Sequence, residues 1–315
     1  HMIVNQQALR GIYTSFKVIF QKAFDQNETL WQRIATLVPS ETGEENYKWL
    51  GKIPHMREWI GDRQIQNLSA SDYTIKNKPF ELTVSVPRSD IEDDRIGLYK
   101  PIVESIGQSA KQHPDELVFK LLPGGFVNKC YDGKAFFASD HVVGDGKKAK
   151  SYSNKGTARL SRAAYRAARK AIMSLVDENG DSLNLVPDLL IVAPANEDVA
   201  KEILLADEIN GTTNTDKGTA ELMVATQLAG KNENSWYLLC TKRPIKPFIF
   251  QERKKVQFHQ LTGETDENVF MRAEYVYGAD SRDNAGYGLW QMAYGSDGSD
   301  PETPPASGGT ETPAT

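Results

Sequence analysis

The stretch DYTIKNKPFELTVSVPRSDIEDD, residues 72–94, begins in the pattern of a β-strand and ends in the pattern of a helix start. After Pro79, apolar residues occupy the even positions and polar residues the odd ones, as in a strand with one buried face. Before the proline the apolar residues, Tyr73 and Ile75, stand at odd positions, so the alternation slips beside Pro79. Because proline has no N–H to donate, it predicts an edge strand, and the slip predicts a bulge or twist.

A second β-like stretch, YKWLGKIPHMREWIG, covers residues 47–61, and DRQIQNLSAS joins it to the first. Together they predict a hairpin that carries an apolar face. An uncovered apolar face on a strand promotes aggregation of a monomer. The face is therefore covered either by the hairpin's own domain or by a neighbouring subunit, and the pattern alone leaves both open.

The rest of the chain predicts an α+β fold, in which helices are segregated from antiparallel strands without a regular βαβ order. A helical pattern lies within residues 3–38. Another begins near residue 98, and Pro114 either breaks, kinks or restarts it. The predictions for the remaining segments are a basic helix over 159–176, a short buried strand over 188–194, a helix over 196–206, flexible loops over 144–156 and 207–219, strands from 220 to 292, and a disordered tail over 296–315 that lacks large apolar residues.

Composition excludes several classes of protein. The chain has 315 residues, 39% hydrophobic and 25% charged, which suits one large or two medium globular domains. A formal charge of −5 argues against a dedicated nucleic-acid-binding protein. No apolar run approaches a membrane span, and no basic-then-apolar signal pattern precedes the first helix, so we expect neither membrane insertion nor export. His1 before Met2 is typical of a residue left by cloning.

Searches for catalytic and metal motifs find little. The histidines are scattered, HExxH, CxxC and GxSxG are absent, and Cys130 and Cys240 read as two buried, reduced thiols. Asp132 and His141 are candidates for a hydrolase pair, but without a nearby nucleophile a turn with buried aromatic residues is the better account. We therefore predict no catalytic residue, no cofactor and no metal site.

Two acidic segments resemble cation sites only weakly. DENGD, beginning at Asp177, has the alternating acids of an EF-hand loop, but Gly180 stands at loop position four instead of six, which favours a turn. DIEDD, residues 90–94, reads as the acidic start of a helix rather than as a cation site.

The basic helix carries arginines on one face, opposite an apolar face. Such a stripe is most often a solvated face; the alternatives are charge pairing with a neighbouring subunit and contact with packaged nucleic acid. The arginines are Arg159, Arg162, Arg166 and Arg169.

The order of the elements resembles the HK97-fold phage capsid proteins. Several long stretches resemble, more closely, the major head subunit family of phage Mu and Mu-like prophages. They are YKWLGKIPHMREWIGDRQIQ, NKPFELTVSVPRSDIEDD, HPDELVFKLLPGGF, CYDGKAFFASDH, KPFIFQER and AGYGLWQMA. The resemblance spans about residues 47–293 and is less distinct over 145–230.

The resemblance implies a division of the chain: an N-terminal arm (1–46), an E-loop hairpin that reaches over an adjacent subunit (47–87), a peripheral domain with a long spine helix (88–149), an axial domain (150–243), closing strands of the peripheral domain (244–295) and a disordered tail (296–315). The side chains expected to meet a neighbouring subunit are Trp59, Ile60, Arg63, Phe80, Leu82, Arg88, Asp93, Asp94, Arg162 and Arg166.

The implied function is structural: copies close, as pentamers and hexamers, into an icosahedral head around double-stranded phage DNA. The implied partners are further copies of the chain, portal, scaffold or protease, decoration proteins and, non-specifically, packaged DNA. The implied location is the virion, after assembly in the host cytoplasm. The alternatives are an HK97-fold nanocompartment that encloses cargo protein and, less favoured, a hydrolase. One relative of the fold forms Lys–Asn cross-links; Lys76 and Lys78 lie in the E-loop but are better explained by solubility.

Overall fold

A computed structural model of the chain describes residues 5–51, 54, 56–66, 71–261 and 274–301. The helices are α1 (Gln6–Gln26), α2 (Trp31–Ile34), α3 (Arg88–Glu92), α4 (Lys100–Gly124), α5 (Arg162–Met173) and α6 (Glu197–Leu205). The strands are β1 (Ala35–Pro39), β2 (Glu44–Asn46), β3 (Thr74–Lys76), β4 (Lys78–Pro87), β5 (His141–Val143), β6 (Lys150–Tyr152), β7 (Lys155–Ala158), β8 (Leu189–Val192), β9 (Glu208–Ile209), β10 (Thr212–Thr213), β11 (Glu221–Val224), β12 (Trp236–Leu239), β13 (Phe248–Leu261), β14 (Glu274–Tyr287) and β15 (Ala293–Asp300).

Two sheets organise the molecule. The first has the order β1-β13-β14-β4 and the second the order β11-β8-β12-β15-β7. The short pairs β2–β3, β5–β6 and β9–β10 form separate ribbons. Helices α1 and α4 pack against the first sheet, so the predicted α+β class is confirmed.

Strand β4 lies at an edge of the first sheet, as Pro79 predicted. It pairs antiparallel with β14 along its whole length, from Lys78 opposite Asp283 to Pro87 opposite Glu274. The predicted bulge does not occur, since β4 pairs with β14 without a register shift. The alternation slips where the chain changes partner, because β3 pairs with β2 instead. Asn77 fixes that change: its N–H donates to the carbonyl of Gly43 at 2.9 Å, and its side-chain oxygen accepts from the buried Gln251 at 2.8 Å.

The predicted strand over residues 47–61 is wrong. None of the described residues from 47 to 66 lies in a strand. Tyr47 and Leu50 instead turn into the core, and the Tyr47 hydroxyl donates to Gln251 Oε1 at 2.8 Å. The apolar spacing at 47–50 therefore reflects a buried turn, and the hairpin ladder is only the short β2–β3 pair.

Helix α4 is continuous through Pro114 and Pro123, so the predicted break at Pro114 does not occur. Its first half packs on α1 and the far part of the first sheet, where Val103 and Ile106 are buried. Its second half, including Phe119, enters the larger core shared with the second sheet. One helix thus joins both cores of the subunit.

The residue after Pro114 connects α4 to α2. The Asp115 carboxylate accepts hydrogen bonds from the backbone N–H groups of Leu30 and Trp31, at 3.0 and 2.8 Å. These groups begin α2 and have no partner within it. Burial outweighs these bonds and raises the pKa of Asp115.

Two segments expected to be flexible are tied to the body. In the 207–219 segment, the buried side chain of Asn214 donates to the carbonyls of Ile203 and Ala206 at the end of α6, at 2.8 and 2.9 Å. The 144–156 segment contains β6 and the start of β7. Both loops carry the polar residues of mobile loops, but those residues find backbone partners.

The predicted start of the disordered tail at residue 296 is wrong. Residues 296–300 belong to β15, and Ser296 is fully buried against the carbonyl of Ala158. Small residues make this strand inconspicuous in the sequence, yet they let it pack closely between β12 and β7. Residues 302–315 lie outside the described residues.

Candidate assembly surface

The chain between β2 and β3, residues 47–73, is here called the excursion. Its described tip carries apolar side chains that are largely exposed among the described residues. Met56 is 100% exposed, Trp59 66%, Ile60 71% and Ile65 97%. Apolar side chains gathered in this way mark an interaction surface in a stable protein.

The tip has local order around Trp59. Its indole N–H donates to the carbonyl of Gly61 at 2.9 Å, and Gly61 adopts a left-handed φ of 76° that side-chain-bearing residues rarely accept. The Arg63 guanidinium lies 4.2 Å from the centre of the Trp59 ring. A cation on one face of the indole leaves its edge and opposite face available to a partner.

Phe80, a residue expected to meet a neighbouring subunit, has a partner within its own subunit. Its ring lies 4.3 Å from that of His113 on α4, and its side chain is half-buried. His113 Nε2 in turn lies 2.8 Å from the buried carboxylate of Asp283. Phe80 therefore covers a polar pair at the junction of α4 and β14, while Leu82 on the same strand is exposed.

The acidic segment after β4 forms a helix of its own. Arg88 pairs with Glu92 at 3.0 Å within α3, and Asp93 and Asp94 follow the helix end as exposed residues. The predicted acidic helix start is confirmed for Asp90, which lies in the first turn of α3, but not for Asp93 and Asp94, which lie between α3 and α4. Asp94 has a φ of 55°, which reverses the chain between them.

Arg162 and Arg166 face their own subunit. Arg162 Nε lies 2.5 Å and Arg166 Nε 2.8 Å from the same carboxylate oxygen of Asp216, whose residue is buried. Arg169 donates to the carbonyl of Thr219 at 3.2 Å. The preferred reading of a solvated stripe is wrong for these arginines, because they hold the 207–219 segment against α5. Sequence reasoning could not find this, since Asp216 lies in an apparently featureless loop.

Asp132 and His141 do come together, and Cys130 joins them. His141 Nδ1 donates to Asp132 Oδ2 at 2.5 Å, and the Cys130 thiol donates to Asp132 Oδ1 at 3.1 Å. Burial would raise the pKa of Asp132, but the hydrogen bonds from His141 and Cys130 lower it below its usual value. Burial, reinforced by the negative charge of Asp132, raises the pKa of the Cys130 thiol. A buried, protonated thiol directed at a carboxylate is not an activated nucleophile, so the cluster does not support a hydrolase.

The turn that holds this cluster depends on Asn154, which sequence reasoning missed. The buried Asn154 side chain donates to the carbonyls of Phe136 and Trp290 at 2.8 and 3.2 Å, and accepts from the N–H of Ala138 at 2.9 Å. A lone asparagine in a Lys/Ser-rich stretch gives no sequence signal for such a role.

The DENGD segment is a turn, as predicted. The Asp177 side chain accepts from the backbone N–H groups of Asn179 and Asp181, both at 2.9 Å, and Gly180 has a φ of 84°.

Among the helices that the structure describes, none combines the length and the apolar character that a membrane-spanning helix needs.

Comparison with known proteins assigns the chain to a family. A family model described as the Mu-like prophage major head subunit gpT matches residues 9–159, 153–228 and 226–301. The major capsid protein of Escherichia phage Mu is 35% identical over 292 residues, 93% of this chain and 74% of that protein. The Mu-like prophage FluMu major head subunit of Haemophilus influenzae is 33% identical over 294 residues, 92% of this chain and 73% of that protein.

A solved structure agrees. A chain of the bacteriophage JBD30 procapsid has a TM-score of 0.60 and 35% sequence identity, covering 93% of this chain and 76% of that one. The phage-capsid fold expected from the order of elements is thereby confirmed, as is a structural rather than enzymatic role. The chain belongs to the Mu-like major head subunit family, whose members are structural capsid proteins.

Proposed function

We propose that copies of this chain assemble, as pentamers and hexamers, into a closed icosahedral head that encloses double-stranded phage DNA. The observation that carries the proposal is the excursion tip, where Trp59, Ile60 and Ile65 project from the subunit without cover. In a family of capsid subunits, the natural cover is a second copy of the same chain.

The size of the tip suits a reversible contact. Fully burying one such side chain contributes about 1.5–3 kcal/mol, and association consumes much of the sum from a few of them. A single contact between two subunits is therefore weak. Many contacts per subunit in a closed shell act together, so the shell is stable although each pair is not.

The proposed division of labour follows the chain. Residues 1–46 form the N-terminal arm and 47–87 the E-loop. The segments 88–149 and 244–295 form the peripheral part, and 150–243 forms the axial part around the symmetry axes. Trp59, Ile60 and Arg63 at the tip are the strongest interface candidates. Leu82, Asp93 and Asp94 are exposed and suit secondary contacts, whereas Phe80, Arg162 and Arg166 mainly serve their own subunit.

The remaining proposed partners are portal, scaffold or protease, and decoration proteins, which such a shell requires for packaging and maturation. Contact with packaged DNA is non-specific, in keeping with a net charge of −5. Assembly takes place in the host cytoplasm, and the finished shell is part of the virion.

Electron microscopy and analytical ultracentrifugation of the full chain at high concentration test the proposal. We expect closed shells from the unmodified chain and only free subunits or small oligomers from Trp59→Asp/Ile60→Asp. Val186→Asp, which changes an exposed apolar residue outside the excursion, is the matched control and should still assemble. Normal shells from the double variant would refute the role of the tip. Shells from phage-producing cells that hold protein cargo instead of DNA would refute the head function.

A further inference from the structure

The turn between α4 and β5 gathers three side chains of the kinds that bind transition metals. The Sγ of Cys130, a carboxylate oxygen of Asp132 and a ring nitrogen of His141 all lie within 4.8 Å of one another. Cys130 and His141 are buried, and Asp132 is partly exposed. The spacing, C-x-D followed by a histidine nine residues after the aspartate, matches no familiar motif. The three side chains meet because Gly133, with a left-handed φ of 79°, turns the chain back on itself.

His141 is held as metal-ligating histidines usually are. Its Nε2–H donates to the backbone carbonyl of Phe136 at 3.0 Å, and its ring lies parallel to that of Trp290, with centres 4.2 Å apart. A hydrogen bond from one ring nitrogen to a carbonyl fixes the ring and directs the other nitrogen to the metal. Here that other nitrogen, Nδ1, points at Asp132.

Two hydrogens occupy the centre of the cluster. One lies between Cys130 Sγ and Asp132 Oδ1, and the other between His141 Nδ1 and Asp132 Oδ2. Replacing both hydrogens, as two protons, by one divalent cation leaves a thiolate, a carboxylate and a neutral imidazole around it. The net charge of the buried cluster is then unchanged, so the exchange adds no uncompensated charge to the interior.

We propose that Cys130, Asp132 and His141 form a structural binding site for a divalent transition-metal ion of the zinc class. A mixed sulfur, nitrogen and oxygen set suits Zn²⁺, whereas Mg²⁺ and Ca²⁺ favour oxygen alone. The ligand atoms of a tetrahedral site with bonds of about 2.0–2.3 Å lie roughly 3.4–3.7 Å apart. Cys130 Sγ lies 3.1 Å from Asp132 Oδ1 and His141 Nδ1 lies 2.5 Å from Asp132 Oδ2, and all three ligand atoms lie within 4.8 Å of one another. Shifts of about 1 Å, within reach of side-chain rotations, bring them to tetrahedral spacing.

The partly exposed side of Asp132 gives the ion its entry path and its fourth ligand, a water molecule. The bound ion links the turn that follows α4, through Cys130 and Asp132, to His141, the first residue of β5. The site stands independently of the proposed capsid contacts, since all three of its protein ligands lie outside the excursion.

Cobalt absorption of the full chain tests the site, because Co²⁺ takes the place of Zn²⁺ and reports its ligands. After removal of metals with a chelator, one equivalent of Co²⁺ should give sulfur-to-cobalt charge transfer and the d–d bands of a tetrahedral site, and one equivalent of Zn²⁺ should abolish them. Cys240→Ser leaves Cys130 as the only cysteine and should keep these bands. Cys130→Ser should lose the charge-transfer band.

The Zn²⁺ affinity of variants distinguishes a metal ligand from a residue that only supports a ligand. Asp132→Asn should weaken Zn²⁺ binding by more than the roughly 10–100-fold typical of residues that only support a ligand. Absence of the charge-transfer band in Cys240→Ser, or its persistence in Cys130→Ser, overturns the proposal. If Cys130→Ser does not fold, the single-cysteine variant Cys240→Ser still decides. Unchanged Zn²⁺ affinity in a folded Asp132→Asn would also overturn the proposed ligand set.

Discussion

The excursion tip (56–66) and the turn that follows α4 (128–140) have similar compositions and opposite surroundings. Neither segment contains more than an isolated β-bridge among its described residues. Both place large apolar residues among glycine and charged residues. At the tip, Ile65 is 97% exposed, whereas Phe136 in the turn is 0% exposed. Apolar composition therefore does not decide whether a segment belongs to the core.

The number of elements that reach each segment makes the difference. The Phe136 ring lies 5.4 Å from that of Phe248 on β13 and 4.8 Å from that of Tyr287 on β14, and its N–H donates to the carbonyl of Asn128 at 3.0 Å. At the tip, by contrast, the described side chains of Met56 and Ile65 stay 97% exposed or more, although they border an open cleft with Tyr131 and Val143. A subunit of a shell can leave such a segment uncovered because another copy covers it.

The largest expected effect is at the centre of the covered turn. Phe136→Ala removes a fully buried ring that touches β13 and β14, two of the four strands of the first sheet, so we expect a loss of about 3–5 kcal/mol in the free energy of unfolding. Urea unfolding of the unassembled subunit, followed by circular dichroism, measures it. A loss below about 1 kcal/mol would mean that the turn is no better covered than the tip.

The next effect concerns residues first assigned to the uncovered surface. Arg162→Gln/Arg166→Gln leaves the buried Asp216 carboxylate without its cations, and we expect a loss of about 1–3 kcal/mol. The control Arg159→Gln changes an exposed residue of the same stripe and should alter stability by less than about 0.5 kcal/mol.

A double-mutant cycle identifies the cause. In an Asp216→Asn background the same two substitutions should cost markedly less, because no buried charge is left unpaired. Equal costs in both backgrounds would show that the arginines act through something other than Asp216.

Periodicity predicted what lies within one element. The buried face of α1, the strands from 220 onward and the edge position of β4 follow from residue spacing and from one proline. The partner strand of β4 could not be predicted from spacing, because β14 lies about 190 residues later and many strands have the same alternation. The end of β15 was missed because small and polar residues form a strand only where neighbouring backbones come close.

The residues of the candidate surface likewise fall into those that the sequence predicted and those that it could not. Exposed apolar residues at the tip were predicted mainly from the resemblance to a capsid family, because the pattern alone left open what covers them. The contacts of Arg162, Phe80 and Cys130 were not, since each depends on a residue distant in sequence or on a turn. Side chains that meet across elements carry no local signal, so sequence assigned Phe80 and Arg162 to the surface.

The burial of Phe80 lies between that of Phe136 in the turn and that of the residues at the tip. Phe80→Ala removes a half-buried ring from His113 and opens the buried Asp283 to water, so we expect a loss of roughly 1–2 kcal/mol, about half that of a fully buried ring. Leu82→Ala on the same face of β4 is the matched control and should cost about 0.5 kcal/mol or less. Urea midpoints at an unchanged slope report both. If Phe80→Ala proved as neutral as Leu82→Ala, Phe80 would return to the set of residues that only a neighbouring subunit covers.

The smallest expected effect on the subunit is at the tip itself. Trp59→Ala removes a ring whose contacts within the subunit are the Gly61 carbonyl and the Arg63 guanidinium. An exposed cation–π pair contributes about 0.5–1 kcal/mol and here orders only the loop, so global stability should change by less than about 0.5 kcal/mol. Shell formation, measured by light scattering against concentration, should nevertheless shift to a much higher threshold, because every subunit loses the same contact. Arg63→Gln separates the two roles: it leaves the indole in place and should shift the threshold less than Trp59→Ala does. A Trp59→Ala subunit that unfolds more easily but assembles at the original threshold would show that the tip serves its own subunit, and the contrast with the covered turn would be lost.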